Sequence, residues 1–380
     1  MIYLLLFAGL FMGWSLGTND AANAFGTAVA TRVVKYRTSI IIIAVMVVLG
    51  SILQGADDID KLSSISTNNE VSADVNDMEN IGVEFEKDAD GNFVLDKDGN
   101  YVIKSTDNID EAALKTLRIK SGFKAAIIFI CAALTVFVMS YLKFPVSANQ
   151  AVTGAIIGWG LFHADYSNPE VTSTNLKEIG KFVSTWLLNP LGAAIISFVI
   201  VYFFKKFLEK KVESLKSYDK VIKIGYIIAG AYSAYTIGIN SSASVTAFYY
   251  DSFGVGANVL TNARLTAILG GLAIAVGVLT YSKKVMMTVG GSIANISQID
   301  GFLVILSSAL AITVMKILLG IPVSTSQAVV GAVIGAGLVK GPKNVNFKVL
   351  GKIGIAWISS PTAAGLMAYI IALCTQSVLS

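Results

Sequence analysis

The feature that most restricts the fold of this chain is a series of apolar runs, most of them about 20 residues long. A helical run of this length crosses a hydrocarbon core about 30 Å thick. Charged residues make up only 14% of the chain, whereas soluble domains average about 25%. The sequence therefore predicts an all-α polytopic membrane protein. In chain order the runs are residues 2–34, 39–54, 123–142, 145–162, 182–204, 221–250, 265–281, 299–319, 322–339 and 349–374, the first and sixth being interrupted by polar residues.

An acidic insertion, residues 55–121, separates the second run from the third. Between positions 57 and 120 it carries 16 acidic and seven basic residues. Residues 90–95 and 98–103 have similar sequences, in which Asp-Gly and Gly-Asn turn formers precede β-branched and aromatic residues. The pattern predicts a small β-hairpin element within the insertion.

Basic residues cluster after the first, fifth, seventh and ninth runs. The positive-inside rule places such clusters in the cytoplasm, so we expect a multi-pass protein of the cytoplasmic membrane with both termini and residues 55–121 outside. Each half crosses the membrane five times. Because five is an odd number, the second half starts on the opposite side of the membrane and is inverted relative to the first. The clusters are Arg32, Lys35 and Arg37; Lys205, Lys206, Lys210, Lys211, Lys216, Lys220 and Lys223; Lys283 and Lys284; and Lys340, Lys343 and Lys348.

An internal repeat relates the two halves. Residues 145–161 match residues 322–338 at 12 of 17 positions without a gap. Two further pairs occur in the same order, namely Trp186-x-x-x-Pro190 with Trp357-x-x-x-Pro361, and the weaker Gly17-Thr18-Asn19-Asp20 with Gly238-Ile239-Asn240-Ser241. We therefore predict two inverted repeats, residues 1–220 and 221–380. Inverted repeats with polar interruptions in matching segments are typical of secondary transporters.

The polar interruptions suit a bound oxyanion. A helix that starts at membrane depth presents free N–H groups and a partial positive charge to whatever lies before it. We expect one helix to end near Leu16, another to begin at Asn19 or Asp20, and two more to begin after Pro145 and Pro322. No Arg or Lys lies in these motifs, so dipoles, hydroxyls and amides would hold the anion. The predicted substrate-binding residues are Asp20, Asn23, Ser147, Asn149, Gln150, Asn240, Ser324, Thr325, Ser326 and Gln327.

Asp20 has a separate expected role. A carboxylate inside a membrane is energetically costly, which makes it a functional hypothesis by default. It can ligate a hard cation or accept a proton. Ser147 and Ser324 have an alternative to substrate binding, which is contact between helices. The Gly-x-x-x-Gly pairs that follow them favour close packing.

These motifs resemble those of the inorganic phosphate transporter family. That family carries a duplicated Gly-Ala-Asn-Asp-x-Ala-Asn-Ala type signature and a duplicated Pro-x-Ser-Thr type loop. Here the first signature reads Gly17-Thr18-Asn19-Asp20-Ala21-Ala22-Asn23-Ala24, and the loops are residues 145–150 and 322–327. The likeness extends over nearly all of the chain outside the acidic insertion.

The resemblance implies phosphate import by symport with sodium or protons, through alternating access around a midplane site. It also implies re-entrant loops and about 10–12 membrane segments. The expected cation ligands are Asn19, Asp20, Asn240 and Ser241. The second signature departs from the family pattern, because Ser241 replaces an Asp or Asn and Ser244 replaces an Asn. One half of a symmetric site has thereby lost its carboxylate.

Three other functions stay open at this point. A sulfate carrier of the same family would share these motifs. An anion channel would more often show rings of like charge along its pore. An enzyme would need a nucleophile–base pair or metal ligands. The single histidine, His163, lies outside the motifs. We therefore predict no enzymatic activity, no cofactor beyond the coupling ion, and no nucleic-acid partner. The expected partners are inorganic phosphate and the bilayer, with a homodimer left open.

Overall fold

The computed structural model describes residues 2–56, 84–87, 103–105, 110–142, 144, 146–163, 169–207, 215–252, 263–289, 297–319 and 323–379. Pro145 and Pro322 lie outside the described residues. The helices are α1 (Ile2–Ala30), α2 (Tyr36–Gln54), α3 (Glu111–Tyr141), α4 (Ala148–His163), α5 (Pro169–Phe207), α6 (Leu215–Ser252), α7 (Ala263–Tyr281), α8 (Lys283–Val289), α9 (Gln298–Leu319), α10 (Thr325–Val339) and α11 (Phe347–Leu379), with a 3₁₀ turn at Pro342–Asn344.

Seven of the described helices are long and apolar enough to cross a membrane, which confirms the all-α polytopic class. These spans are Tyr36–Gln54, Gly122–Tyr141, Val183–Phe207, Asp219–Thr246, Arg264–Tyr281, Gln298–Leu318 and Phe347–Thr375. The helix α10 is apolar but shorter. The chain leaves the helical conformation before α4 and before α10, as expected for the two loops.

The predicted helix break between Leu16 and Asp20 is wrong. Helix α1 runs without interruption through this segment, and α6 does the same through the second signature. Thr18 donates its hydroxyl hydrogen bond to the carbonyl of Ser15 within the same helix, 2.7 Å away. Gly17 packs against the backbone of Ile274 in α7, where a side chain would collide. The glycine thus permits close helix packing and does not end the helix.

The insertion contains a two-stranded β element. Strand β1 (Glu84–Phe85) pairs antiparallel with strand β2 (Ile103–Ser105). The hairpin arms predicted at 90–95 and 98–103 lie outside the described residues except for Ile103. Residues 111–121, assigned to the insertion from the sequence, form the first three turns of α3.

Four central helices, α1, α2, α6 and α7, pack through two equivalent crossings. In the first, Gly17 of α1 lies against Ile274 of α7; in the second, Gly238 of α6 lies against Val47 of α2. Gly17 and Gly238 are the first residues of the two signature motifs. The repeated glycines therefore allow the same close approach in both halves.

The remaining long helices form two groups beside the central helices. The first flank consists of α3, α4 and α11, and the second flank consists of α5, α9 and α10. In the first flank Gly154 of α4 packs against the backbone of Pro361 in α11, and in the second Gly331 of α10 packs against the backbone of Pro190 in α5. Each loop-derived helix thus packs on the proline-containing helix of the other half.

Candidate functional site

A polar face of α1 forms one wall of the candidate site. Asp20, Asn23 and Thr27 recur at a spacing of three and four residues, which places them on one side of the helix. All three are buried, with Asp20 and Asn23 each 3% exposed. Burying a carboxylate is unfavourable unless it is hydrogen-bonded or paired. This face therefore requires polar partners from another element.

The first turn of α10 supplies those partners. The Thr325 hydroxyl donates to Asp20 Oδ2 at 2.9 Å. Asn23 Nδ2 lies 3.1 Å from Asp20 Oδ1, 3.2 Å from Thr325 Oγ1 and 3.1 Å from Ser326 Oγ. The structure thus brings four of the predicted residues, distant in sequence, into one hydrogen-bonded group.

The two loop-derived helices begin with the same serine cap. Ser147 Oγ accepts from the backbone N–H of Gln150, and Ser324 Oγ accepts from that of Gln327, each at 3.2 Å. Such a cap satisfies one of the free N–H groups at a helix start. The two loop-derived helices therefore begin with the same cap geometry.

The two loops also contact each other reciprocally. Ser326 donates its hydroxyl hydrogen bond to the carbonyl of Val146 at 2.9 Å, and Asn149 Nδ2 donates to the carbonyl of Val323 at 3.2 Å. A side chain from each loop therefore holds the backbone of the other. The loops meet beside Asp20 and Asn23.

Asn240 lies in the same region, but both polar atoms of its side-chain amide form hydrogen bonds to backbone groups. Its Nδ2 donates to the carbonyl of Val323 at 2.7 Å, and its Oδ1 accepts from the N–H of the same residue at 2.9 Å. Asn19 does not join the Asp20 group, because its Nδ2 donates to Ser140 Oγ in α3 at 2.8 Å. Ser241 is buried next to Asn240. Asn240 thus fixes the position of the second loop.

Two glutamine side chains carry polar atoms without a partner. Within the described part of the chain, Gln150 Oε1 and both amide atoms of Gln327 are buried and form no hydrogen bond. Gln150 and Gln327 are 2% and 1% exposed. Buried polar groups are nearly always satisfied. These atoms are therefore available to a ligand, and they occupy equivalent positions in the two repeats.

Asn189 is a site residue that the sequence reasoning missed. It is fully buried in α5, and its Nδ2 donates to the carbonyl of Ser324 at 2.7 Å. Asn189 directly precedes Pro190, in the Trp-x-x-x-Pro motif that both repeats contain. An amide side chain inside an apolar helix was the signal that would have identified it. Ser360 holds the equivalent position before Pro361 and is also fully buried.

Comparison with known proteins relates the chain to a family and to a solved fold. The sequence profile described as the phosphate transporter family matches residues 16–368. A protein of Methanocaldococcus jannaschii named "putative phosphate permease" is 27% identical over 97% of this chain and 96% of its own length. The sulfate permease CysP of Bacillus subtilis is 26% identical over 95% of this chain and 84% of its own length.

A solved structure, "The sodium-dependent phosphate transporter", has the same fold. It superposes with a TM-score of 0.71 and 22% sequence identity, covering 99% of both chains.

Proposed function

Since the chain belongs to the phosphate transporter family, we propose that it imports inorganic phosphate across the cytoplasmic membrane by symport with a cation. The observation that carries this proposal is the composition of the site. Among the described residues that meet at the two loops, Asp20 alone has a formal charge, and hydroxyl and amide groups surround it. Hydroxyls and amides are suitable donors for phosphate oxygens.

A buried carboxylate in an anion site explains why a cation would be required. At an effective dielectric constant of about 20, two unit charges 4 Å apart interact by about 4 kcal/mol. Phosphate placed beside ionised Asp20 would be repelled by that order of energy, equivalent to about a 1,000-fold loss of affinity. A sodium ion or a proton on Asp20 removes the repulsion. Binding of the cation and of phosphate would therefore be coupled.

The similar solved structure is of a sodium-dependent transporter, which makes sodium the first cation to test. Asp20 is the central proposed ligand, because its carboxylate carries a full negative charge. Ser241 stays a proposed ligand. Asn19 and Asn240 would act by holding α3 and the second loop, since their amides bond to Ser140 and Val323.

We further propose that residues 1–220 and 221–380 are two inverted repeats that permit alternating access. The reciprocal loop contacts and the exchange of proline-containing helices between halves support this division. Single cysteines introduced at Glu84 and at Lys343, in a chain whose native Cys131 and Cys374 are replaced by serine, test the orientation. An impermeant reagent added outside should label Glu84→Cys and leave Lys343→Cys unmodified in intact cells. Labelling of both from outside would contradict the topology.

Sulfate is the second candidate substrate, because the similar CysP protein is a sulfate permease. Phosphate carries a proton at neutral pH that a carboxylate can accept, whereas sulfate does not. We favour phosphate because the buried site carboxylate fits this difference.

The direct experiment is uptake of radiolabelled phosphate into proteoliposomes containing the purified chain. An inward sodium gradient should drive accumulation, excess unlabelled phosphate should compete fully, and excess sulfate should compete little. An inward proton gradient without sodium separates the two cations. Sulfate uptake faster than phosphate uptake would reverse the substrate assignment, and uptake independent of both gradients would refute symport.

A further inference from the structure

A groove opens between the lysine-bearing end of α5 and the start of α9. It has a volume of about 390 Å³, and all of its lining residues are apolar. Four phenylalanines, Phe203, Phe204, Phe207 and Phe302, line it together with three aliphatic side chains. Phe203 and Phe207 are 51% and 53% exposed. Both helices belong to predicted membrane spans, so this α5/α9 groove faces the acyl chains of the bilayer.

An exposed lysine stands at the mouth of the α5/α9 groove. Lys206 Nζ lies 5.4 Å from the ring centre of Phe207, which lines the groove, and 5.6 Å from that of Tyr202. These distances allow cation–π attraction, which holds the ammonium group near the rings. The groove therefore combines an apolar interior with a positive charge at one end.

The neighbouring lysine is already used within the protein. Lys205 Nζ lies 3.0 Å from Asp300 Oδ1, and Lys340 Nζ also pairs with this carboxylate, 2.6 Å from Oδ2. Lys206 is thus the exposed lysine of this pair, with its ammonium group beside the Phe207 ring that lines the groove. Five more lysines follow it in the sequence, at positions 210, 211, 216, 220 and 223.

This combination fits one class of ligand. Clusters of four to eight basic residues at the cytoplasmic end of a membrane helix, and basic pockets between helices, bind anionic lipid headgroups. Moving an acyl chain from bilayer to groove gains little, because both surroundings are apolar. Selectivity must therefore come from the headgroup, at about 1 kcal/mol per nearby lysine, or roughly fivefold in affinity.

We propose that the α5/α9 groove binds one acyl chain of an anionic phospholipid whose phosphate contacts Lys206. The lipid would fill the space between α5 and α9 next to the ion cluster at Asp300, and so would brace two helices of the second flank. This site is separate from the site at Asp20, and the proposal stands whether or not the chain transports phosphate.

Native mass spectrometry of the purified protein in detergent tests the proposal. Phosphatidylglycerol and phosphatidylcholine of equal chain length are titrated separately, and bound lipids are counted. We expect at least one phosphatidylglycerol to bind about fivefold more tightly than phosphatidylcholine. Lys206→Ala should abolish this preference, and Lys206→Arg should retain it.

Lys283→Ala is the matched control, because Lys283 is also exposed, lies 5.8 Å from the ring centre of Tyr36 and belongs to α8, which does not line the α5/α9 groove. This variant should keep the lipid preference. Leu306→Trp, which fills the groove, should reduce binding of both lipids. The proposal would be overturned if the two lipids bound with equal affinity, or if Lys283→Ala lost the preference as Lys206→Ala does. It would also be overturned if inorganic phosphate displaced phosphatidylglycerol. A dimer mass that persists without lipid and is lost in Leu306→Trp would overturn it as well, because the groove would then be an interface between two copies of the chain.

Discussion

The two flanks share a backbone plan but differ in chemistry. In both, a serine caps the helix that follows the loop by accepting a hydrogen bond of 3.2 Å from the backbone N–H of a glutamine. In the second flank the next two residues are Thr325 and Ser326, and their hydroxyls meet Asp20 and Asn23. In the first flank the equivalent residues are Ala148 and Asn149. A symmetric frame therefore holds an asymmetric site.

The opposite ends of the flanks differ as well. In the second flank the fully buried carboxylate of Asp300 pairs with Lys205 of α5 and with Lys340 at the end of α10. The offset that aligns Pro145 with Pro322 places Phe123 opposite Asp300 and His163 opposite Lys340. An ion cluster thus joins three helices in one flank, where its counterpart has an aromatic residue. The duplicated backbone accommodates either an ion cluster or an aromatic residue at this position, because packing at the glycines already fixes the helix positions.

The largest expected effect concerns the single site carboxylate. Asp20→Asn should lower gradient-driven phosphate uptake more than about 100-fold, because the attraction of about 4 kcal/mol between carboxylate and cation is lost. Asp219→Asn makes the same change at an exposed carboxylate outside the site and should keep the wild-type rate. Proteoliposome uptake at equal protein density measures both. A wild-type rate and cation dependence in Asp20→Asn would show that coupling resides elsewhere.

The ion cluster should matter mainly for stability. Asp300→Ala leaves two partly buried lysines without their shared counter-ion, at a cost of about 2–4 kcal/mol. Thermal unfolding in detergent should show a Tm several degrees lower than that of the wild type. Lys343→Ala, at an exposed lysine of the same end, serves as the control and should leave Tm unchanged. An unchanged Tm in Asp300→Ala would mean that the cluster does not stabilise the second flank.

The hydroxyl that distinguishes the flanks should affect substrate and cation affinity. Thr325→Val removes the hydrogen bond to Asp20, and bonds to charged groups contribute about 1.5–3 kcal/mol. We expect the apparent KM for phosphate or for the cation to rise about tenfold or more. Thr153→Val is the control in the first flank, because that hydroxyl bonds to the carbonyl of Asn149 within α4. Similar kinetics for the two variants would remove the proposed asymmetry.

The caps should give the smallest effects. Ser147→Ala and Ser324→Ala each lose a helix cap worth about 1 kcal/mol, so phosphate affinity should fall about fivefold. We expect the larger loss in Ser324→Ala, because its helix carries the residues that contact Asp20. Binding measured by isothermal titration compares them. If Ser147→Ala weakens binding more, the first loop makes the principal contact with phosphate.

Much of the candidate site was predictable because its residues lie in repeated motifs. Asp20, Asn23, Thr325 and Ser326 were expected to meet, and the structure brings them within 3.2 Å of one another through Asn23 and Asp20. Asn19 and Asn240 stay predicted cation ligands: Asn19 Nδ2 donates to Ser140 Oγ, and both amide atoms of Asn240 bond to the Val323 backbone. Residue type alone does not show how an amide is used, because the same oxygen can ligate a cation or accept a hydrogen bond from the backbone.

By itself the sequence determined the membrane location, the helical class and the duplication, because these depend on run length, composition and self-similarity. It also pointed to four candidate site residues, namely Asp20, Asn23, Thr325 and Ser326. Only the tertiary structure decided that α1 continues through Gly17, that Asn189 holds the second loop, and that Asp300 joins three helices. Each of these depends on a contact between segments distant in the chain, and such contacts are fixed by how helices pack, which no local pattern specifies.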